Sequence, residues 1–181
     1  MAGRTSKRAL ILGGANTLLD DQAAALALFE PDCIIACNNA GRVTTLRLDG
    51  WATMHPDIRD RLWIPARRKK GLPDAGQLWH PRHRGKWPGS IPIESWGGSS
   101  GMLCIAVAFE LECTHIVLAG VPMVKLNNHF DDPKPWFECR QYHSVWKKLQ
   151  PKLQGRVKSL SGWTKDLLGE PTEEWLNNET A

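Results

Sequence analysis

Two short apolar runs, each ending in small or polar turn residues, constrain the fold of this chain more than any other feature. Residues 9–12 (Ala-Leu-Ile-Leu) end at Gly13-Gly14, and residues 33–37 (Cys-Ile-Ile-Ala-Cys) end at Asn38-Asn39. Runs of this kind are typical of strands buried on both faces of a parallel sheet. The segment 18–29 between them is rich in Ala and Leu and predicts a helix. Strand, helix and strand joined by short links indicate an α/β fold.

The same patterns continue along the rest of the chain. They predict further strands at 50–54, 114–120 and 157–160, and helices at 102–112, 136–149 and 164–168. The chain has 181 residues and 42% hydrophobic residues, a size and composition suited to one domain with a core. We therefore predict a single Rossmann-like three-layer α/β domain over residues 1–181, with a mostly parallel sheet.

No apolar run approaches the roughly 18 residues that a membrane span needs. The apolar run at residues 9–12 is also too short for the core of a signal peptide. We expect a cytoplasmic protein with no membrane partner.

Two glycine-rich segments are each predicted to open a helix. The first is Gly13-Gly14-Ala15-Asn16-Thr17, and the second is Gly97-Gly98-Ser99-Ser100-Gly101. Ligands of parallel sheets bind outside the carboxyl ends of the strands, and helix starts offer free N–H groups to anions. We expect the two segments to form one anion pocket, with these ligand-binding residues: Gly13, Gly14, Asn16, Ser99, Ser100 and Gly101. The alternatives are a tight turn at the first segment and an ordinary serine N-cap at the second.

Neither segment carries the Gly-x-Gly-x-x-Gly fingerprint or the Gly-Lys-Ser/Thr of a P-loop, which disfavours a standard NAD or ATP site. Asn38 and Asn39 follow the second strand and are candidates to bind a phosphate, ribose or base edge; turn formation is the equal alternative. His55 and His129 follow later strands and are the candidate catalytic residues, as general acid or base. A structural role remains the alternative for both histidines.

Residues 65–97 form a long insertion without clear periodicity. Positions 67–86 contain seven Lys and Arg residues and only one Asp. Four tryptophans lie within or near this stretch: Trp63, Trp79, Trp87 and Trp96. A local positive field indicates an anionic partner. We expect a structureless lid over the ligand. The alternatives are a surface for single-stranded nucleic acid, which cations and stacking aromatics bind, and a solvated loop.

The five cysteines lack a Cys-x-x-Cys pair, and Cys33, Cys37 and Cys104 lie in apolar runs. We interpret them as small hydrophobic residues and predict no metal site.

Four stretches occur in an order that resembles the family 42 bacterial sialyltransferases and the related MptE-like (DUF115) domains. They are residues 10–18, 36–39, 99–108 and 115–122. Those families have a glycine-rich first turn, an asparagine after the second strand, and a Ser-Gly helix start before a strand ending in glycine. The chain also resembles small uncharacterised bacteriophage proteins at residues 51–57, 120–123, 129–130 and 159–164.

The resemblance implies that part of the predicted pocket holds the nucleotide of a CMP-sugar donor, by position Gly14, Asn16, Asn38, Ser99, Ser100 and Gly101. It also implies that a later histidine, His129 or His143, acts as the base. We therefore expect a nucleotide or nucleotide sugar as ligand and a glycosyltransferase-like transferase.

Three other functions remain open. They are a non-catalytic nucleotide-binding phage accessory protein, a nucleic-acid-binding protein, and an MptE-like pyrophosphokinase. The last would require a divalent cation near Asp57 or Asp131. A phage origin would place the protein in the host cytoplasm.

Overall fold

A computed structural model describes residues 6–125, 129–132 and 134–178. Its centre is a sheet of seven strands, all parallel, in the spatial order β5-β4-β3-β2-β1-β6-β7. The strands are β1 Arg8–Leu12, β2 Cys33–Cys37, β3 Gly50–Ala52, β4 Gln77–Pro81, β5 Ser90–Ile93, β6 His115–Ala119 and β7 Val157–Ser159.

Helices cover both faces of this sheet. They are α1 Leu18–Leu28, α2 Ala40–Val43, α3 Pro56–Ile58, α4 Ile64–Lys69, α5 Ser100–Glu110, α6 Cys139–Leu153, α7 Gly162–Leu168 and α8 Glu173–Asn177. A π-helical turn at Arg59–Trp63 joins α3 to α4, and a 3-10 turn at Arg82–Arg84 follows β4. Helices α5, α6 and α7 pack on one face, and α1, α2, α4 and α8 pack on the other. This arrangement confirms the predicted Rossmann-like three-layer fold.

The central strands are apolar because both of their faces are covered. Ile11 of β1 packs on the side of α5, and its neighbour Leu12 packs on the side of α1. All five residues of β6 are buried. Helix α5 lies against β1, β2 and β3, and its residues from Gly101 to Ala108 are all buried. Burial on every side explains why these segments show no polar face in the sequence.

The prediction that residues 65–97 lack regular structure is wrong. This insertion contains α4, β4 and β5, which extend the sheet to its edge beyond β3. The sequence conceals the two strands because polar residues and prolines break their apolar runs: β4 contains Gln77 and His80 and ends at Pro81, and β5 contains Pro92. Pro92 lies in the edge strand β5, where a missing N–H is tolerated because it need not break the ladder.

The strand order creates a switch point between β1 and β6. The chain builds outward from β1 to β5, then crosses back through α5 to β6 on the other side of β1. The backbones meet closely there: Gly13 N donates to Ala119 O at 2.7 Å, and Ala15 N donates to Gly120 O at 3.1 Å. A Cβ atom on Gly13 would lie 2.1 Å from Gly120 O, so only glycine fits.

All five cysteines are free and buried, which confirms their interpretation as core residues. Within the described part of the chain, no helix combines the length and the apolar character needed to cross a membrane.

Replacing Gly13 by alanine tests the close approach at the switch point. We expect Gly13→Ala to lower the free energy of unfolding by about 3 kcal/mol, because the methyl group would overlap the Gly120 carbonyl. Gly50→Ala is the matched control, since a Cβ there has its nearest neighbour at 3.5 Å, an ordinary contact. Urea unfolding measures both variants, and equal losses would contradict the proposed constraint.

The buried His115 makes stability depend on pH. Burial lowers the pKa of His115, as do the charges of Arg8 and Arg156, while a backbone hydrogen bond at Trp175 opposes them. The unfolded chain therefore binds a proton more readily than the folded one. The free energy of unfolding should fall as the pH drops below about 6.5, the pKa of histidine in the unfolded chain. The fall should end once the pH is below the lower pKa of His115 in the folded protein.

We expect His115→Gln to weaken this loss of stability between pH 7.5 and pH 5.5, as measured by urea unfolding. His83 is exposed and provides the control. An unchanged pH profile in His115→Gln, or an equal change in His83→Gln, would contradict the assignment.

Candidate functional site

A cavity of about 540 Å³ opens at the carboxyl ends of the strands, beside the switch point. Its wall includes Gly13 and Gly14 from the loop after β1, and Ser99, Ser100 and Gly101 from the start of α5. The two glycine-rich helix starts therefore border a single space. A volume of this size lies within the range of small-ligand and cofactor sites.

The start of α5 is open to an anion. Ser99 caps the helix: its Oγ accepts from Met102 N at 3.4 Å, and its carbonyl accepts from Leu103 N at 3.1 Å. The N–H groups of Ser100 and Gly101, and the Ser100 hydroxyl, have no hydrogen-bond partner among the described residues. No acidic residue lies in the first turn. The positive end of the helix dipole thus faces the cavity unopposed.

At the start of α1, carboxylates already neutralise the positive end of the helix dipole. Asp20 and Asp21 both lie in its first turn, and Asp21 is buried. The Asp21 carboxylate accepts from Gly120 N at 2.8 Å, from Ser161 Oγ at 2.6 Å and from Thr17 Oγ1 at 3.1 Å. This carboxylate joins α1 to the loops after β6 and β7, and its charge disfavours a second anion there.

Asn16, which the sequence grouped with the ligand-binding residues, is exposed and lies outside the cavity lining. The first glycine-rich segment therefore contributes close backbone approach at Gly13 and Gly14 rather than a helix dipole.

The two asparagines after β2 have different positions. Asn38 lines the cavity with a left-handed backbone (φ 50°), and its Oδ1 accepts from Thr53 Oγ1 at 2.8 Å. Its Nδ2 donor has no partner within the described part of the chain, so it is available to a ligand. Asn39 does not line the cavity; its Nδ2 donates to both carboxylate oxygens of Asp131 at 3.0 Å.

Both candidate histidines border the cavity, where each could reach a ligand. His129 donates from Nδ1 to Gly14 O at 3.0 Å, which leaves Nε2 as an acceptor that has no partner among the described residues. His55 is exposed at the start of α3. His143 lies outside the cavity lining. Its ring stacks on that of Trp163, with the ring centroids 3.7 Å apart, and its Nε2 donates to Met123 O at 2.8 Å. Of the two histidines suggested for the base, the structure places only His129 at the cavity.

The charge of the lining is positive. Among the described residues that form it, Arg84 alone carries a permanent charge, and none is a carboxylate. The sequence did not single out Arg84, because it is one of seven cations in a stretch of twenty residues. The structure also brings Met54, Trp136 and Tyr142 to the cavity, and no motif marked these residues.

The structure gives no support to a nucleic-acid surface on the insertion. Arg67 is buried and donates to four backbone carbonyls, those of Gly41, Thr44, Leu46 and Pro73. Arg68 pairs with Asp74, and Nη2 lies 2.7 Å from Oδ2. Trp79 is buried in the core, and Trp96 packs edge-on against Phe109 with ring centroids 5.2 Å apart. Cations and aromatics engaged in this way do not form a stacking platform.

Within residues 6–125, 129–132 and 134–178, no group of three His, Cys, Asp or Glu side chains could hold a metal ion. The two carboxylates considered for a divalent cation both have cationic partners: Asp57 Oδ2 lies 3.6 Å from Arg61 Nη2, and Asp131 Oδ2 lies 2.6 Å from Arg42 Nη2.

Comparison with known proteins gives a likeness of fold. No family model matches the chain, and no curated protein matches its sequence. The structure is similar to the Campylobacter jejuni sialyltransferase CstII in complex with the substrate analogue CMP-3FNeuAc. The TM-score is 0.58 at 11% identity, covering 97% of this chain and 89% of that one.

CstII in complex with cytidine-5'-monophosphate gives a TM-score of 0.55 at 11% identity, covering 96% of this chain and 88% of that one. The relationship to MptE-like domains and bacteriophage proteins stays a prediction. The chain therefore has a sialyltransferase-like fold, as the order of its motifs predicted.

Proposed function

We propose that this protein binds a nucleotide sugar in the cavity and transfers the sugar to an acceptor hydroxyl. The observation that carries this proposal is the open start of α5. The N–H groups of Ser100 and Gly101, which no described residue pairs, border a cavity whose described lining contains no carboxylate. An anionic group is the natural partner of such a helix start. Solved structures of the same fold were determined with CMP and with a CMP-sugar analogue.

The proposed arrangement assigns one task to each wall of the cavity. The phosphate of the nucleotide binds at Ser100 and Gly101, with Arg84 as the nearby cation. Asn38 donates from Nδ2 to the nucleoside, since its Oδ1 is held by Thr53. Gly13 and Gly14 present backbone to the cavity. The side on which a Cβ atom would lie is occupied by Gly120 O at Gly13, and by Asn39 and His129 at Gly14.

His129 is the general base in this mechanism. The acceptor hydroxyl transfers its proton to His129 Nε2 as its oxygen forms a bond to the anomeric carbon. The bond between that carbon and the phosphate oxygen breaks, and the electron pair leaves with the nucleotide. The N–H groups at the start of α5 stabilise the charge that develops on the departing phosphate.

The nucleotide site is tested by placing a carboxylate at the start of α5. We expect Ser100→Asp to weaken nucleotide binding by about tenfold or more, because the new charge repels the phosphate. The same charge stabilises a helix start, so the fold should persist. Asn16→Asp is the matched control, since it adds the same charge at the exposed start of α1, outside the cavity.

Thermal-shift titration with a panel of nucleotides and nucleotide sugars measures both variants. A ligand at 100 times its dissociation constant stabilises the wild type by about 2.7 kcal/mol. Equal weakening in both variants would contradict the site. A shift by oligonucleotides alone, falling steeply with salt, would favour nucleic-acid binding instead.

The catalytic assignment is tested separately from binding. We expect His129→Asn to lower turnover of the bound nucleotide sugar by about 100-fold or more while its dissociation constant changes little. Single-turnover kinetics with donor and acceptor measure the loss, and the same measurement on His55→Asn determines whether His55 contributes. Binding without turnover in the wild type would contradict transfer and favour a non-catalytic nucleotide binder.

A further inference from the structure

The loop that carries His129 is joined to the glycine turn after β1. Gly14 O accepts two hydrogen bonds from this loop, from Phe130 N at 3.1 Å and from His129 Nδ1 at 3.0 Å. Ala15 and His129 also form an isolated antiparallel bridge. This attachment sets the backbone position of His129 beside the cavity, but the histidine side chain itself is exposed.

A second attachment lies two residues further along the loop, at Asp131. Both carboxylate oxygens accept from Asn39 Nδ2 at 3.0 Å, and Oδ2 also accepts from Arg42 Nη2 at 2.6 Å. Asn39 is the N-cap residue of α2, and Arg42 lies within α2. Charge-assisted hydrogen bonds of this kind are shorter and stronger than neutral ones. Asp131 therefore fastens the loop to the helix after β2.

The two attachments meet at Gly14. A Cβ atom on this residue would lie 2.8 Å from Asn39 Oδ1 and 2.9 Å from His129 Nδ1. Asn39 and His129 therefore pack against the same glycine, one from α2 and the other from the loop. A displacement of Asp131 away from Asn39 would move the loop at the point where His129 contacts Gly14.

We propose that Asp131 is a positioning residue for His129. By holding the loop on Asn39 and Arg42, Asp131 keeps His129 Nδ1 as the donor to Gly14 O and leaves Nε2 as the acceptor. The use of Nε2 as a base rests on the proposed function; the orientation of the ring does not. Exposed ion pairs contribute little to global stability, so the effect of Asp131 is confined to its loop.

The orientation is tested by NMR of the ¹⁵N-labelled protein, without any ligand. The spectra are recorded with the His129 ring neutral. In the wild type, we expect the ¹⁵N chemical shift of Nδ1 in the range of a protonated ring nitrogen and that of Nε2 in the range of an unprotonated one. In Asp131→Ala, we expect both signals to move toward the average of two exchanging tautomers. Arg42→Met should move them in the same direction, because it removes the shortest hydrogen bond to Asp131.

Asp132→Ala is the matched control. It removes the same charge from the adjacent position, where the carboxylate accepts only from the backbone N–H of Lys134 among the described residues. We expect its His129 signals to match those of the wild type. Wild-type tautomers already in exchange, an unchanged signature in Asp131→Ala, or an equal change in Asp132→Ala would each overturn the proposal.

Kinetics then separate this proposal from the proposed function. With the donor identified by titration, Asp131→Ala should lower kcat by about tenfold with little change in donor affinity, since Asp131 is not part of the cavity lining. A rise in KM with kcat unchanged would overturn the positioning role. Absence of nucleotide binding in the wild type would instead overturn the proposed function, and the NMR result would stand independently of it.

Discussion

The contact of backbone with backbone between Gly13 and Gly120 is the constraint on which the rest of the site depends. It brings the loop after β1 against the loop after β6, where a single added methyl group would overlap a carbonyl oxygen. The buried carboxylate of Asp21 holds the same region by accepting from Gly120 N and Ser161 Oγ. The loops after β1 and β6, which both line the cavity, are therefore joined to α1 and to the loop after β7.

The two glycine-rich helix starts differ in the charge of their first turns. The first turn of α1 contains two carboxylates, one of them engaged in holding neighbouring loops. The first turn of α5 contains none, and its first N–H groups remain unpaired among the described residues. A single anion beside both helices is therefore attracted to α5. Gly13 and Gly14 instead let the loop after β6, Asn39 and His129 pack closely against the turn after β1.

Sequence patterns predicted the central elements of the fold and much of the cavity lining. Strands β1, β2 and β6 are buried on both faces, so an uninterrupted apolar run identifies them. Strands β4 and β5 were missed because polar residues and prolines, such as His80 in β4 and Pro92 in β5, break their apolar runs. Asn38 and Asn39 were indistinguishable for a different reason. Their separate roles depend on contacts with Thr53 and with Asp131, which lie 15 and 92 residues away along the chain.

The sequence by itself determined the layer architecture, the strand ends that border the cavity, and the glycines required for close approach. These features follow from local patterns of burial and from the backbone freedom of glycine. Only the tertiary structure decided that α5 presents the open helix start, that Arg67 and Trp79 belong to the interior, and that Arg84 borders the cavity. The physical reason is that charge compensation and burial depend on residues that are close in space but far apart in the sequence, so a local sequence pattern does not predict them.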